Sequence, residues 1–207
     1  MNYLKFRQEL KDYTSFSLND IKKLKEKVYH HRLIEWQKTG YIIRIANGIY
    51  VFAETNINEF VLYYLANRIY EPSYVSLESA LSYYSFIPES VYSITSVTAK
   101  KTTSFKSPMA SFTYRKIRNV LMFGYELQRK DNFVFKIAEP EKAILDFFYF
   151  NPHLSSPDNF LEMRFNLISF DEKIDKEKLL NYLSLFGNTR LNKRVTKFLK
   201  WIEHAKY

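Results

Sequence analysis

Cysteine is absent from this 207-residue chain. That removes disulfides, thiolate nucleophiles and zinc-finger ligation together, and it fits a reducing compartment. Glycine is scarce as well. With four glycines, at positions 40, 48, 124 and 187, no glycine-rich turn precedes a Gly-Lys-Ser/Thr triplet, so nucleotide cradling by a phosphate loop is excluded. The histidines, His30, His31, His153 and His204, show no His-x-x-x-His or comparable spacing, and neither a metal nor another cofactor is expected. No apolar run approaches the length of a membrane span. The opening Met1-Asn2-Tyr3-Leu4-Lys5-Phe6-Arg7 is charged too early for a secretory leader. The expectation is a cytoplasmic protein with no membrane partner. Internal repeats and low-complexity tracts are also missing.

What the chain has in quantity is aromatic side chains and positive charge. Its 18 Phe and 17 Tyr are first of all core-building material, although aromatics also stack on bases. The formal net charge of +9 is unevenly spread. Residues 1–52 hold ten basic against five acidic side chains and residues 100–136 nine against two, whereas 53–99 is acidic and 137–207 nearly balanced. Two separated basic blocks suit a nucleic-acid partner.

The most informative stretch is Leu33 to Phe52, where a short helical pattern passes through Gly40 into a tight hairpin, Tyr41-Ile42-Ile43-Arg44-Ile45-Ala46-Asn47-Gly48-Ile49-Tyr50-Val51-Phe52. Asn-Gly between apolar runs signals a type I′ turn. A two-residue loop would set Ile45 against Tyr50 and Ile43 against Phe52 on a greasy face, with Arg44 against Val51 on the other. Upstream, Asn2 to Leu10 reads as a first helix. Ser17-Leu18-Asn19-Asp20 offers capping side chains to a short second helix, and a third begins near Tyr29 or His30 after a turn around Lys25 to Val28. No glycine or proline separates the last two, so one longer helix from Leu18 is the alternative. On the third helix Tyr29, Leu33 and Trp36 gather on a packing side, and His31, Glu35 and Lys38 gather opposite with Arg32 on the flank. Residues 1–53 thus read as a winged helix-turn-helix domain. Arg32 and Lys38 are the leading candidates for phosphate or guanine contact, arginine offering a bidentate fork; His31 and Gln37 rank below them, and Arg44 is the wing's cation.

Glu54-Thr55-Asn56-Ile57-Asn58 reads as a linker, and residues 59–207 as a mixed α+β domain with a small, mostly antiparallel sheet and C-terminal helices. Helices are expected over Glu59–Tyr70 and from Ser76 or Leu77 to Tyr84. The β-branched runs Val91–Ala99, Ser111–Ile117 and Phe133–Ala138 read as strands. Glu139-Pro140-Glu141-Lys142 opens a helix with proline at its first position and acids near its positive end, carrying Ala143, Ile144 and Phe147 inward. On the last helix Leu191, Val195, Phe198, Leu199 and Ile202 form an apolar stripe, with Lys193, Arg194, Lys197 and Lys200 away from it. These four, together with Lys100, Lys101, Arg115 and Arg118, are candidate secondary basic contacts.

Three blocks carry a resemblance to a known family: the wing segment; Tyr74-Val75-Ser76-Leu77-Glu78-Ser79-Ala80-Leu81-Ser82-Tyr83-Tyr84; and Ile137-Ala138-Glu139-Pro140-Glu141-Lys142-Ala143-Ile144-Leu145-Asp146. With Ile94-Thr95-Ser96-Val97-Thr98 between them, they resemble, in order, the AbiEi-type antitoxins of bacterial phage-defence toxin–antitoxin systems. The resemblance implies a winged helix binding inverted repeats in the promoter of its own operon, and a carboxy-terminal domain serving antitoxin action and cooperative DNA assembly. It also implies a nucleotidyltransferase-like toxin, encoded beside it, as partner, and no catalysis. The turn Ala46-Asn47-Gly48 is less basic than the family's usual wing tip. A palindromic operator implies a homodimer. The alternatives are a metal-dependent nuclease using Glu139-Pro140-Glu141-Lys142 or Asp175-Lys176-Glu177-Lys178, and a toxin-binding adaptor without DNA contact.

Overall fold

The computed structural model describes residues 1–88, 93–130 and 133–205. Its first helix, α1 (Tyr3–Glu9), starts where the Asn2 side chain accepts the Lys5 amide at 2.9 Å. The short strand β1 (Phe16–Ser17) leads into α2 (Leu18–Lys22) through a capping box, in which Ser17 Oγ accepts the Asp20 amide and the Asp20 carboxylate accepts the Ser17 amide. This reciprocal cap sets where α2 begins. Residues 23–29 then separate it from α3 (His30–Lys38), which removes the alternative of one long helix. Strands β2 (Ile42–Ala46) and β3 (Ile49–Phe52) follow, and the sheet runs β1-β3-β2, all antiparallel.

The hairpin forms, with a register one residue away from that expected. Ile42 faces Phe52, Ile43 faces Val51, Arg44 faces Tyr50 and Ala46 faces Ile49, with Ile45 bulged out of the ladder. The turn is not type I′, since Gly48 takes positive φ (+71°) and Asn47 does not. A bulge adds a residue to one strand and resets every facing beyond it, which period-two reasoning does not detect. Both faces of the ribbon contribute buried residues, while Arg44 is exposed. Ile42, Tyr50 and Phe52 join Phe6, Leu10, Phe16, Leu33 and Trp36 in a small core, while Val51 and Ile45 are buried in the larger core of the remaining chain. Tyr29 also departs from its expected place: it precedes the first turn of α3 in extended backbone and is exposed.

Beyond residue 58 the chain folds as α4 (Glu59–Ile69), β4 (Ser73–Val75), α5 (Leu77–Tyr83), β5 (Ser93–Thr98), β6 (Thr103–Lys106), β7 (Ser111–Lys116), β8 (Tyr125–Lys130), β9 (Phe133–Ala138) and α6 (Pro140–Phe150). Four further helices close the chain: α7 (Pro157–Glu162), α8 (Leu167–Lys173), α9 (Lys176–Leu185) and α10 (Thr189–Ala205). Val91 and Tyr92 of the strand expected over Val91–Ala99 lie outside the described residues. The architecture is α+β. The second sheet has six strands in the order β6-β7-β5-β4-β9-β8, and its β4–β9 and β5–β7 pairings are parallel, so it is larger and more mixed than expected. Helix α4 lays Phe60, Tyr63 and Tyr64 on Phe133 and Phe135. On α10 Leu191, Val195, Phe198 and Ile202 of the apolar stripe are buried and Leu199 is half-buried, with Phe198 set among Phe148, Phe160, Phe165 and Phe170. No helix among the described residues is long and apolar enough to cross a membrane.

Tyrosine hydroxyls tie these layers together. Tyr114 is fully buried and donates to the Ala66 carbonyl at 2.7 Å, and burial raises its pKa far above the usual value of 10. A raised folded pKa contributes stability that is complete below the unfolded value and lost as pH rises above it. Above pH ~10, wild-type stability should therefore fall more steeply than that of Tyr114→Phe, by about 1.4 kcal/mol per pH unit. Urea titrations of both proteins between neutral and alkaline pH check this, and parallel curves would refute it.

Candidate nucleic-acid interface

Burial divides α3 into two faces. Leu33 and Trp36 are buried against the small core, while His30, His31, Ile34, Glu35 and Lys38 are exposed on the outside. Of the residues expected to contact DNA, His31 and Lys38 lie on this outer face. Arg32 sits on the flank and pairs with Glu35 at 2.8 Å, one turn along, so its fork is engaged with a carboxylate that an anion would have to displace. Gln37 is half-buried and its amide donates to the Leu33 carbonyl at 3.0 Å. That bond runs back one turn within its own helix. Ile34, 41% exposed at the centre of the outer face, was not foreseen; an apolar side chain there is suited to the methyl group of thymine.

A second set of cations flanks α3. Lys22, Lys23, Lys25 and Lys27 are all exposed on the end of α2 and the turn after it, and Lys27 lies 5.0 Å from the centre of the Tyr29 ring, which stacks on His31. The acid within this run, Glu26, accepts from Lys5 at 2.6 Å and from the Met1 amine at 2.8 Å, and these hydrogen bonds hold its carboxyl down to about 2. Its charge is thereby already countered from α1. The run Lys-Lys-x-Lys-x-Lys is plain in the sequence, but a turn gives no periodicity by which to assign it a face.

Arg44 lies at the hairpin turn, donating to the Asn47 side chain and to the Ala46 carbonyl. It lines a cleft of about 400 Å³ whose other wall is Ser104, Phe105 and Lys106 of β6. Here the second basic block does meet the hairpin, through Lys106 and not through the residues singled out from sequence. Of those, Lys101, Lys193, Lys197 and Lys200 are exposed, Lys100 lies over the Tyr70 ring at 5.2 Å, and Arg115 lies over Phe150 at 5.0 Å. Two also donate to backbone carbonyls, Arg118 from an exposed position and Arg194 from a half-buried one. Arg118 donates to the Phe186 carbonyl at 3.0 Å. Arg194, half-buried with its pKa lowered by desolvation, donates to the Phe148 carbonyl at 2.8 Å. Each guanidinium thus links its own segment to a carbonyl of a distant helix or its C-terminal cap.

The Glu139-Pro140-Glu141-Lys142 segment weighed for a nuclease is bound up internally. Pro140 occupies the first turn of α6. Glu139 accepts from Lys178 at 3.1 Å and from the Tyr182 hydroxyl at 2.5 Å. Buried Glu141 accepts the Asp175 amide at 3.0 Å and lies 3.3 Å from Lys178, while Asp175 caps α9. Lys142 is fully buried beside Asp146. Among the described residues no group of three or more His, Cys, Asp or Glu side chains is placed to hold a metal ion.

No protein-family model matches this chain, and no curated protein matches it as a relative. The reading of the site therefore rests on its own residues: a short helix whose outer face is solvent-exposed, a lysine-rich turn beside it, and a hairpin whose arginine shares a cleft with a lysine from the second sheet.

Proposed function

We propose that residues 1–53 are a winged helix-turn-helix that places α3 in the major groove of duplex DNA, and that the chain is a transcriptional repressor and antitoxin acting in the cytoplasm. Residues 59–207 form the antitoxin-like domain, and a nucleotidyltransferase-like toxin encoded beside it is the partner. The single observation that carries the DNA reading is the outer face of α3. His31, Ile34 and Lys38 stand exposed on a helix whose opposite face is anchored in a core, with four exposed lysines on the end of α2 and the turn that precedes it. The order helix, strand, helix, helix, hairpin, with β1 closing the hairpin's sheet, supports the same reading. So does the resemblance to AbiEi-type antitoxins. In this arrangement Ile34 and Lys38 meet base edges, Arg32 exchanges Glu35 for phosphate, the lysine turn tracks one backbone, and Arg44 at the wing meets the other.

Fluorescence anisotropy with the gene's own promoter DNA tests this. The double variant Arg32→Ala, Lys38→Ala is expected to bind at least roughly tenfold more weakly, two cationic contacts being lost. Unchanged affinity would refute the assignment of α3. A wild-type protein that forms a stable complex with the neighbouring gene product but shows no salt-sensitive DNA binding would be an adaptor instead. Magnesium-dependent nicking of plasmid DNA would replace the reading with a nuclease.

A further inference from the structure

The six-stranded sheet ends at β6 on one side and at β8 on the other. An edge strand leaves a row of backbone N–H and C=O groups unpaired, and proteins cover or blunt such rows. The β6 edge is abutted by β2 of the hairpin. Among the described residues strand β8 has β9 on one side and no strand on the other, and its six residues pair with β9 in an unbroken register from Tyr125↔Ala138 to Lys130↔Phe133. No bulge twists this edge away. On one face of β8 stand Glu126, Gln128 and Lys130, and on the other Tyr125, Leu127 and Arg129. Leu127 is 67% exposed, and Val134, opposite Arg129 on β9, is 38% exposed.

We propose that β8 is a homodimerisation edge, at which two copies of this chain pair antiparallel through Tyr125–Lys130 and join their sheets into one. A two-fold axis perpendicular to the sheet keeps each residue type on the same face in both copies, so the axis must pass through a residue opposite itself. Centring on Glu126 or on Arg129 sets like charges against each other, and centring on Leu127 sets Glu126 against Gln128. Centring on Gln128 sets Glu126 of each copy against Lys130 of the other, twice, and lays the Arg129 stem over Leu127. The charges that deter indiscriminate pairing at this edge are complementary in that one register. The inference holds whether or not the protein binds DNA; if it does, the dimer supplies the two-fold symmetry that a palindromic site requires.

Sedimentation velocity of the full chain, over micromolar to millimolar concentrations, tests it through a charge swap. Glu126→Lys and Lys130→Glu each convert both cross-strand ion pairs into like-charge pairs and should each weaken self-association roughly tenfold. An equimolar mixture of the two variants restores opposite charges at both pairs and should recover dimers of wild-type strength. Both side chains lie on an edge strand, and circular dichroism with urea titration confirms that each variant remains folded. A wild-type protein that stays monomeric throughout, or swaps that leave self-association unchanged, or a mixture that fails to recover, overturns the proposal.

Discussion

Lys142→Ala is expected to destabilise the protein by about 3–5 kcal/mol, enough to leave much of it unfolded at 37 °C, because the substitution strands a carboxylate in the core. Lys142 and Asp146, one turn apart on α6, are both fully buried and ion-paired. Lys142 donates to the Tyr74 hydroxyl at 2.8 Å, and Asp146 accepts from Tyr74 at 2.9 Å and from Ser76 at 2.9 Å. The rings of Tyr74, Phe123 and Phe186 lie 5.0 to 5.3 Å from the ammonium. Burial lowers the pKa of Lys142, so the surroundings disfavour the charge except as half of a pair. The double variant Lys142→Met, Asp146→Leu removes both charges but leaves the hydroxyls of Tyr74 and Ser76 without their acceptor, at about 1–3 kcal/mol each. It should therefore recover part of the lost stability and stay below wild type. Urea denaturation of the three proteins checks the order. A single variant within about 1 kcal/mol of wild type would show that the pair is not essential.

Replacing Lys22, Lys23, Lys25 and Lys27 together with alanine is expected to weaken DNA binding by two or more orders of magnitude at low salt. It should also reduce the steepness of the salt dependence by roughly one for every lysine that meets a phosphate. These side chains are exposed on the α2 end and the turn, and the acid among them, Glu26, is held by Lys5 and the Met1 amine. Phosphate neutralisation releases counterions whatever the sequence, so promoter and unrelated DNA should suffer alike, whereas Arg32→Ala, Lys38→Ala should narrow the gap between them. Lys193→Ala, Lys197→Ala, Lys200→Ala on α10 is the control, removing nearly as much charge from a helix that belongs to the larger core. Log–log plots of binding constant against salt distinguish the cases. An unchanged slope for the turn variant, or an equal loss for the α10 variant, would show that net charge alone and not the α3 region attracts DNA.

The elements legible in the sequence are those set by neighbours within a few residues. The Ser17–Asp20 box, Pro140 in the first turn of α6, the stripe from Leu191 to Ile202 and the Asn47-Gly48 turn each depend on contacts one or two turns away. The same locality explains what was missed. Strands β6 and β8 carry polar and charged side chains, as edges do, and show neither β-branched enrichment nor a clean apolar alternation. The Glu-Lys-Ala-Ile-Leu-Asp segment of α6 looks like a helix with a solvated charged flank. Only the packing of Tyr74, Phe123 and Phe186 around it makes Lys142 and Asp146 interior residues.

By itself the sequence determined that the first fifty residues build short helices and a hairpin, that α3 has one apolar side, and that positive charge falls in two blocks. Hydrophobic spacing and capping chemistry act over a few residues and can be read from a string. The tertiary structure alone decided that Ile45 bulges toward the second core, that Arg44 shares a cleft with Lys106, that Arg118 and Arg194 donate to carbonyls of distant segments, and that β8 ends its sheet. Each of these depends on which distant segments arrive side by side, and burial assigns the same charged residue to solvent or to the interior according to what covers it.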